Sequence, residues 1–558
     1  MLTGRRSNIA IGPAPILLML GLFTLYRFVG LFYSYAPAHT FDESLKHGVG
    51  FVVFLIAFFL CRWNSANVER LLWLLLFALV IVVFLSLGGD WNGMRMMTVI
   101  NANVSAALFL IGMHIAAYLY FASWIAGQAR NDKGHLARND KRQARNDKGQ
   151  SIVRTDKVGW ILAVLGVLIA MGFVLCVSVG ATLAGGVSIL LVCFMQNRGR
   201  RLKTFLFYVI ILLIGFVLGA IVFTFLGGGG PATDGFFVER FSDITSNPYA
   251  EERIQYFGYA IDIFREQNIF FGSGAGAFET LLMQIQTVYS ESKYVHNQYL
   301  QVLLEGGIVG LALYLAFLIL VIKKLFAIRK QGIAPMLFGI VAMILMHSAI
   351  DFDLSFIQYI IVAWLIMGII DAIPVDAQED ENKPKSKAIS RLQAILCVSI
   401  PLITCALFLL SVIAGNMMRG ALAADPVDIS KLRTAANTAV AIDRPHKEQY
   451  MADYLVAVSE MDFAYADAEA EATADEYAEK LDLVADRSVG LCQALIQYYY
   501  PRGETEKVLH YAKMIRAIRV MDPEAYDIAI NICEYVYDNG DEAEQMAAME
   551  AIEEIENA

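Results

Sequence analysis

Eleven apolar runs, each bounded by charged or turn-forming residues, divide the first 414 positions of the chain. They cover about residues 15–36, 47–63, 71–88, 104–126, 158–178, 180–195, 204–226, 307–322, 334–350, 356–373 and 392–414. A helix needs roughly 20 apolar residues to cross a bilayer core, because each residue adds only ~1.5 Å of rise. The pattern predicts an all-α, polytopic membrane bundle of about eleven spans, the shorter ones tilted or partly re-entrant. Arg5 and Arg6 precede the first run as in a secretory signal, but no small-residue cleavage site follows. That run is read as a retained span.

Two regions depart from this pattern. Gly227-Gly-Gly-Gly-Pro231 breaks the seventh run, and residues 227–306 form a long loop. Within it, Arg253 to Phe264 carries apolar residues at helical spacing, Gly272-Ser-Gly-Ala-Gly276 forms a turn, and a second amphipathic helix follows near Phe278–Tyr289. A loop of this length with its own helices is more often functional than not. From 415 onward the chain reads as soluble helices with small residues where they touch, among them Ala435, Ala436 and Ala439. Spacing around Ala512–Ala543 is similar to a tetratricopeptide repeat, and a generic stack of helical hairpins fits it equally. The expected organisation is a membrane domain over 1–414 and a helical domain over 415–558. Ala-Arg-Asn-Asp-Lys recurs from positions 129, 137 and 144 without apolar positions, which predicts a disordered insertion over 129–150.

Composition sharpens this reading. The chain is 57% hydrophobic and 18% charged, against roughly 45–50% and 25% for soluble domains. This excludes an ordinary soluble enzyme and a disordered chain. The tail from Gly415 carries 12 Lys and Arg against 29 Asp and Glu, while the remainder carries a surplus of positive charge. Such a tail argues against a nucleic-acid partner. Lys and Arg concentrate in alternate loops, including Arg130–Lys157, Arg198–Lys203, Lys323–Lys330 and Lys383–Arg391. By the positive-inside bias, the N-terminus is cytoplasmic, and the large loop and tail are extracytoplasmic in a multi-pass cell-membrane protein. Seven cysteines form no metal-ligand or disulfide pattern, and Cys492 and Cys533 are read as buried thiols.

The chemistry-bearing residues cluster in and around the large loop. Arg253 opens an aromatic-rich helix, the Gly272–Phe278 turn follows, and His296-Asn-Gln-Tyr-Leu leads to Glu305-Gly-Gly-Ile-Val-Gly310. Together these resemble the large-loop signature of the O-antigen ligase family, which includes surface-polysaccharide polymerases and protein O-oligosaccharyltransferases. Arg95 through Asn103-Val-Ser-Ala106 is similar to an Arg…Asn…Ala segment of that family. His347-Ser-Ala-Ile-Asp-Phe-Asp-Leu354 is similar to a motif of members with helical-repeat tails. The resemblance spans about residues 70–373, with one departure: Val179 stands where the family often carries arginine.

The resemblance implies glycan transfer from a polyprenyl-diphosphate-linked donor to an acceptor hydroxyl on a glycan, lipid or protein. No cofactor is expected, and the loop's Asp and Glu form no clustered ligand set for a metal; membrane lipid surrounds the bundle, and the helical tail is expected to bind a protein partner or the acceptor. Arg253, then Arg240 and Arg95, are candidates to hold the diphosphate, since arginine grips phosphate oxygens bidentately. A solvated charge is the plainer alternative for Arg253. His296 is the candidate catalytic base, with orienting the acceptor or binding the leaving phosphate as other roles. Asn297 and Glu305 are candidate substrate contacts, and Glu305 alternatively pairs with an arginine or caps its span. Gly272, Gly274 and Gly276 allow a tight turn, and their N–H groups are candidates to cradle phosphate. His347 is expected to hydrogen-bond Asp351 one helical turn away as a supporting clamp. A non-catalytic scaffold and a solute transporter are the competing functional classes.

Overall fold

The computed structural model describes residues 14–89, 91–92, 95–96, 101–136, 148–226, 248–375, 387–424, 426–460 and 468–557. Every apolar run becomes a helix: α1 Pro15–Val29, α2 Pro37–Trp63, α3 Ala66–Leu87, α4 Ala102–Leu136, α5 Lys148–Leu175, α6 Val179–Met195 and α7 Arg198–Leu226. After the loop come α10 Gln298–Ala327, α11 Ala334–His347, α12 Ile357–Ala372 and α13 Lys387–Leu422. Among the described residues eight helices are long and apolar enough to cross a membrane, and α6, α11 and α12 are shorter apolar helices. The protein is a multi-pass, all-helical membrane bundle. Among the described residues, one two-residue ladder pairs Trp91–Asn92 with Arg95–Met96.

One continuous apolar core joins these helices. Lipid tails offer no hydrophobic drive between spans, so small residues that let helices close up carry the packing. Gly50 of α2 is such a site: a Cβ there would lie 2.4 Å from the Trp364 ring of α12. Gly215 of α7 lies so close to the Ala170–Met171 backbone of α5 that a Cβ would meet it at 2.8 Å.

The first Ala-Arg-Asn-Asp-Lys unit differs from expectation. It continues α4 as helix to Leu136, and Lys148–Gln150 already belong to α5. Alanine, arginine and lysine are good helix formers, so a helix entering the repeat need not stop there. Residues 137–147 lie outside the described residues.

The large loop supplies α8 Pro248–Glu266 and α9 Ala277–Ile285, packed around Tyr256, Ile263, Phe278 and Leu282. It is pinned to the bundle at a break in α10. Gly307 has φ 60° and ψ −165°, freeing the next two amides from the helix. Ile308 N–H then donates to the Ile269 carbonyl (3.0 Å) and Val309 N–H to that of Phe270 (3.2 Å). A side chain at 307 would meet the Phe270 carbonyl at 2.3 Å, so this contact requires glycine.

The tail contains α14 Ile429–Ile442, α15 Lys447–Ser459, α16 Ala468–Asp482, α17 Val489–Tyr499, α18 Thr505–Ile518, α19 Pro523–Asn539 and α20 Glu542–Asn557. Their apolar faces form a core of their own, into which α13 extends Ala414 and Met418. The tail also touches the loop: Val520 N–H donates to the Met283 carbonyl (3.2 Å), and Gln284 Nε2 donates to that of Asp486 (3.1 Å).

Candidate functional site

Three distant segments converge on Asp351. The chain leaves α11 at His347, turns through residues 348–352 and enters a short 3-10 turn at Asp353–Ser355. This puts the buried Asp351 carboxylate beneath the loop. Arg253, in the first turns of α8, brings Nη2 to 3.5 Å from Asp351 Oδ2. His296, just before α10, brings Nδ1 to 3.7 Å from Asp351 Oδ1. Both lie within ion-pairing range of a single carboxylate, and Arg253 keeps 29% of its side chain exposed for a ligand. Burial alone would push the Asp351 carboxyl up. The facing His296, His347 and Arg253 side chains outweigh it and hold the group below its ordinary value, as a carboxylate.

His296 is held in an unusual backbone conformation, φ 57°, in the left-handed region that non-glycine residues rarely occupy. Its ring stacks on Tyr256 (centroids 5.6 Å apart, planes 9° apart) and meets Phe352 edge-on at 4.3 Å. Its buried Nδ1 has no hydrogen-bond partner. Tyr256 is fixed in turn by its hydroxyl, which donates to Glu252 (2.7 Å). Burial and that carboxylate push the Tyr256 hydroxyl up to about 12, so it stays a neutral donor. Asn297 caps α10, accepting from Tyr299 and Leu300 N–H, while its Nδ2 donates to the Ala349 carbonyl (3.0 Å). This cap ties the His296 segment to the Asp351 turn.

The His347 clamp is corrected. His347 Nδ1 lies 2.6 Å from Asp353 Oδ2, with both side chains fully buried, instead of bonding Asp351. The expected pairing assumed a continuing helix, but α11 ends at His347 and the turn carries Asp351 away toward the loop. The amino end of α6 abuts this pair: a Cβ on Gly180 would stand 3.5 Å from His347 Nε2. Val179 therefore stands at the edge of the cluster and brings no charge. Val177, two residues earlier, has φ 45°, a strained value for a β-branched residue.

Glu305 is the keystone of the turn. It is buried, its Oε2 is 3.2 Å from Arg27 Nη1, and its Oε1 accepts from Gly276 N–H (2.7 Å) and Gln301 Nε2 (2.5 Å). The phosphate cradle expected of the glycines is also corrected. Gly272, Gly274 and Gly276 all have positive φ, but their N–H groups are committed to Asn268 O, Glu305 O and Glu305 Oε1. Gly274 packs so tightly on Ser34 that a Cβ would lie 2.3 Å from its hydroxyl. The turn is a packing joint. Arg240 lies outside the described residues, and Arg95 sits in the ladder before α4.

Residues of α2 complete the surroundings without having been anticipated. Lys46 Nζ donates to Glu43 Oε1 (2.6 Å), the Tyr294 hydroxyl (3.3 Å) and the Ser355 carbonyl (2.9 Å). The Tyr294 ring stacks on Phe352, the ring that braces His296. The signal was a charged i, i+3 pair inside the start of an apolar helix, where ionisable groups are costly unless paired or functional.

The family model described as O-antigen ligase matches residues 163–315, from α5 to the middle of α10, and so takes in Arg253, the glycine turn, His296 and Glu305. This bears out the family resemblance and supports a membrane glycan-transfer role of the ligase or polymerase type. The comparison with curated proteins yields no match.

Proposed function

We propose that this chain, whose residues 163–315 match the O-antigen ligase family, transfers a glycan from a polyprenyl-diphosphate donor to an acceptor hydroxyl at the extracytoplasmic face. The observation that carries the reading is the approach of Arg253 and His296, from opposite ends of the loop, to the one buried carboxylate of Asp351. A cation and a potential base thus sit side by side, each partly exposed, over one buried carboxylate.

The chemistry follows from these groups. His296 Nδ1 facing Asp351 favours the tautomer with the proton on Nδ1, leaving Nε2 as proton acceptor. The acceptor hydroxyl gives its proton to Nε2 as its oxygen bonds to the sugar C1. The bond from C1 to the diphosphate oxygen breaks, and its electron pair leaves with the diphosphate. The Arg253 guanidinium balances that growing negative charge. Asp351 orients both residues and offsets the charge that His296 gains, while Glu305, Asn297 and the glycine turn hold the loop in register.

A deletion strain tests the assignment. Loss of a cell-surface glycan with accumulation of its lipid-linked form is the expected result. Loss without accumulation would point to a scaffold acting earlier in synthesis.

A further inference from the structure

A cavity lies against α9, whose Glu279 lines it. It encloses about 350 Å³, within the ~300–1,000 Å³ range of small-molecule sites. Its walls come from three places: the chain entering α2 (Tyr35, His39), α9 (Glu279), and the tail (Glu448, Gln449, Arg487). The tail thus builds a site jointly with the loop, in addition to capping it.

The charged groups around it keep hydrogen-bonding capacity. Arg487 stands 3.8 Å from Glu448, and Glu279 stands 3.9 Å from both His39 and Lys293. Such separations give Coulombic attraction but no hydrogen bond. Positive and negative groups are interspersed, which disfavours a strongly anionic or cationic ligand. Planar amide, carboxylate, guanidinium and imidazole groups on one small cavity suit a ligand dense in hydroxyls.

Its position fits the same ligand. Phe278 and Glu279 are adjacent on α9. Phe278 packs edge-on against Tyr256, the ring stacked on His296, while Glu279 faces the cavity. His39 Nδ1 also lies 3.3 Å from the Gly276 carbonyl, in the turn that Glu305 holds. The short helix α9 thus touches both the cavity and the aromatic stack around His296.

We propose that this cavity is a saccharide subsite, built jointly by loop and tail, that holds a neutral sugar unit of a glycan substrate remote from the reacting bond. The proposal rests on the glycan-transfer reading, and its test separates the two. The full-length protein is purified in lipid nanodiscs, and the probe is the oligosaccharide mixture released by mild acid from the host's surface polysaccharide. Binding is read by saturation-transfer NMR, and transfer is measured in parallel with donor and acceptor extracted from the deletion strain. Gly490 lines the cavity and a Cβ there would meet the Ser488 hydroxyl at an ordinary contact distance of 3.6 Å, so Gly490→Trp places bulk at the cavity wall. Gln449→Ala removes a polar group from an exposed helix face and serves as the milder variant.

Wild-type protein and Arg253→Ala are expected to bind the oligosaccharides, and Gly490→Trp to lose the signal. In transfer, Gln449→Ala is expected to raise KM for one glycan substrate several-fold with kcat within about twofold. Unchanged binding and KM in both variants, with melting temperatures equal to wild type, would overturn the subsite while leaving the transfer reading intact. Absence of transfer by wild type, with binding retained, would overturn the transfer reading instead.

Discussion

His296 Nδ1 faces Asp351 Oδ1 across 3.7 Å, and the residue reaches that position only by adopting φ 57°. Left-handed backbone at a non-glycine residue costs of order 1–3 kcal/mol and persists where surrounding contacts enforce it. Here Tyr256, Phe352 and the Asn297 cap provide those contacts. The reach of an imidazole to a buried carboxylate is thus built into the loop's packing, which is the condition for a preorganised base.

Asp351 gives a pH signature. Its folded-state value is lowered, since the His296, His347 and Arg253 side chains outweigh the effect of burial. A depressed carboxyl stabilises the fold above its unfolded value, ~3.9, and this contribution fades as pH falls through the folded value. Asp351→Asn should therefore melt below wild type at pH 7, and the gap should narrow only below about pH 4. Melting curves across pH check this; a gap that is constant down to pH 3 would contradict the assignment.

Glu305 should matter for folding more than for substrate. Glu305→Ala leaves the Arg27 guanidinium buried and uncompensated and frees the Gly276 N–H. Removing one member of a buried pair typically costs ~3–5 kcal/mol. The expected outcome is a marked loss of folded protein in membranes, and Glu305→Gln should retain the Gly276 and Gln301 contacts and be milder. Normal expression of Glu305→Ala with selective loss of donor binding would instead make it a substrate contact.

Gly307→Ala tests the joint between loop and bundle. The added methyl meets the Phe270 carbonyl at 2.3 Å, at a φ that alanine resists. The loop must lift from α10 to accommodate it. Proteolysis of loop residues 268–276 should accelerate while the spans stay protected; an unchanged rate would show that the break is not what holds the loop.

Orientation is measurable by labelling. In a cysteine-free background, an impermeant maleimide applied to intact cells should label Leu483→Cys, whose side chain is 80% exposed in the tail. It should not label Asp140→Cys in the basic loop. The reverse pattern would invert the topology inferred from the Lys and Arg bias.

The fold was legible because the membrane imposes it. All eleven apolar runs were readable as helices, though among the described residues only eight reach spanning length, and the ends moved. The loop motifs were legible as a set, but their pairing was not. His347 finds Asp353 and Arg253 finds Asp351 because α11 stops one residue before the serine, and apolar periodicity carries no signal for that stop. Lys46 and Glu43 escaped attention for the same reason: their partners, Tyr294 and Ser355, are some 250 residues or more away. The glycine turn announced a tight bend, but the commitment of the Gly274 and Gly276 N–H groups to Glu305 depends on tertiary contact.

Arginine in place of a metal has a direct consequence. If guanidinium charge balances the leaving diphosphate, transfer by purified protein should survive EDTA. Complete loss of activity, restored by one divalent ion, would show that the arginines do not suffice.

The central claim is that Arg253 and His296 form the reacting surface, and the transfer rates of four variants at matched membrane expression test it most directly. Arg253→Ala should lose most activity, with Arg253→Lys only partly restoring it because an ammonium lacks the bidentate fork. His296→Ala should fall by ~10²–10⁴-fold, the usual worth of a general base. Arg265, 73% exposed and paired with Asp262, is the control in the same helix, and Arg265→Ala should transfer at the wild-type rate. Near-normal rates for Arg253→Ala and His296→Ala would contradict the account.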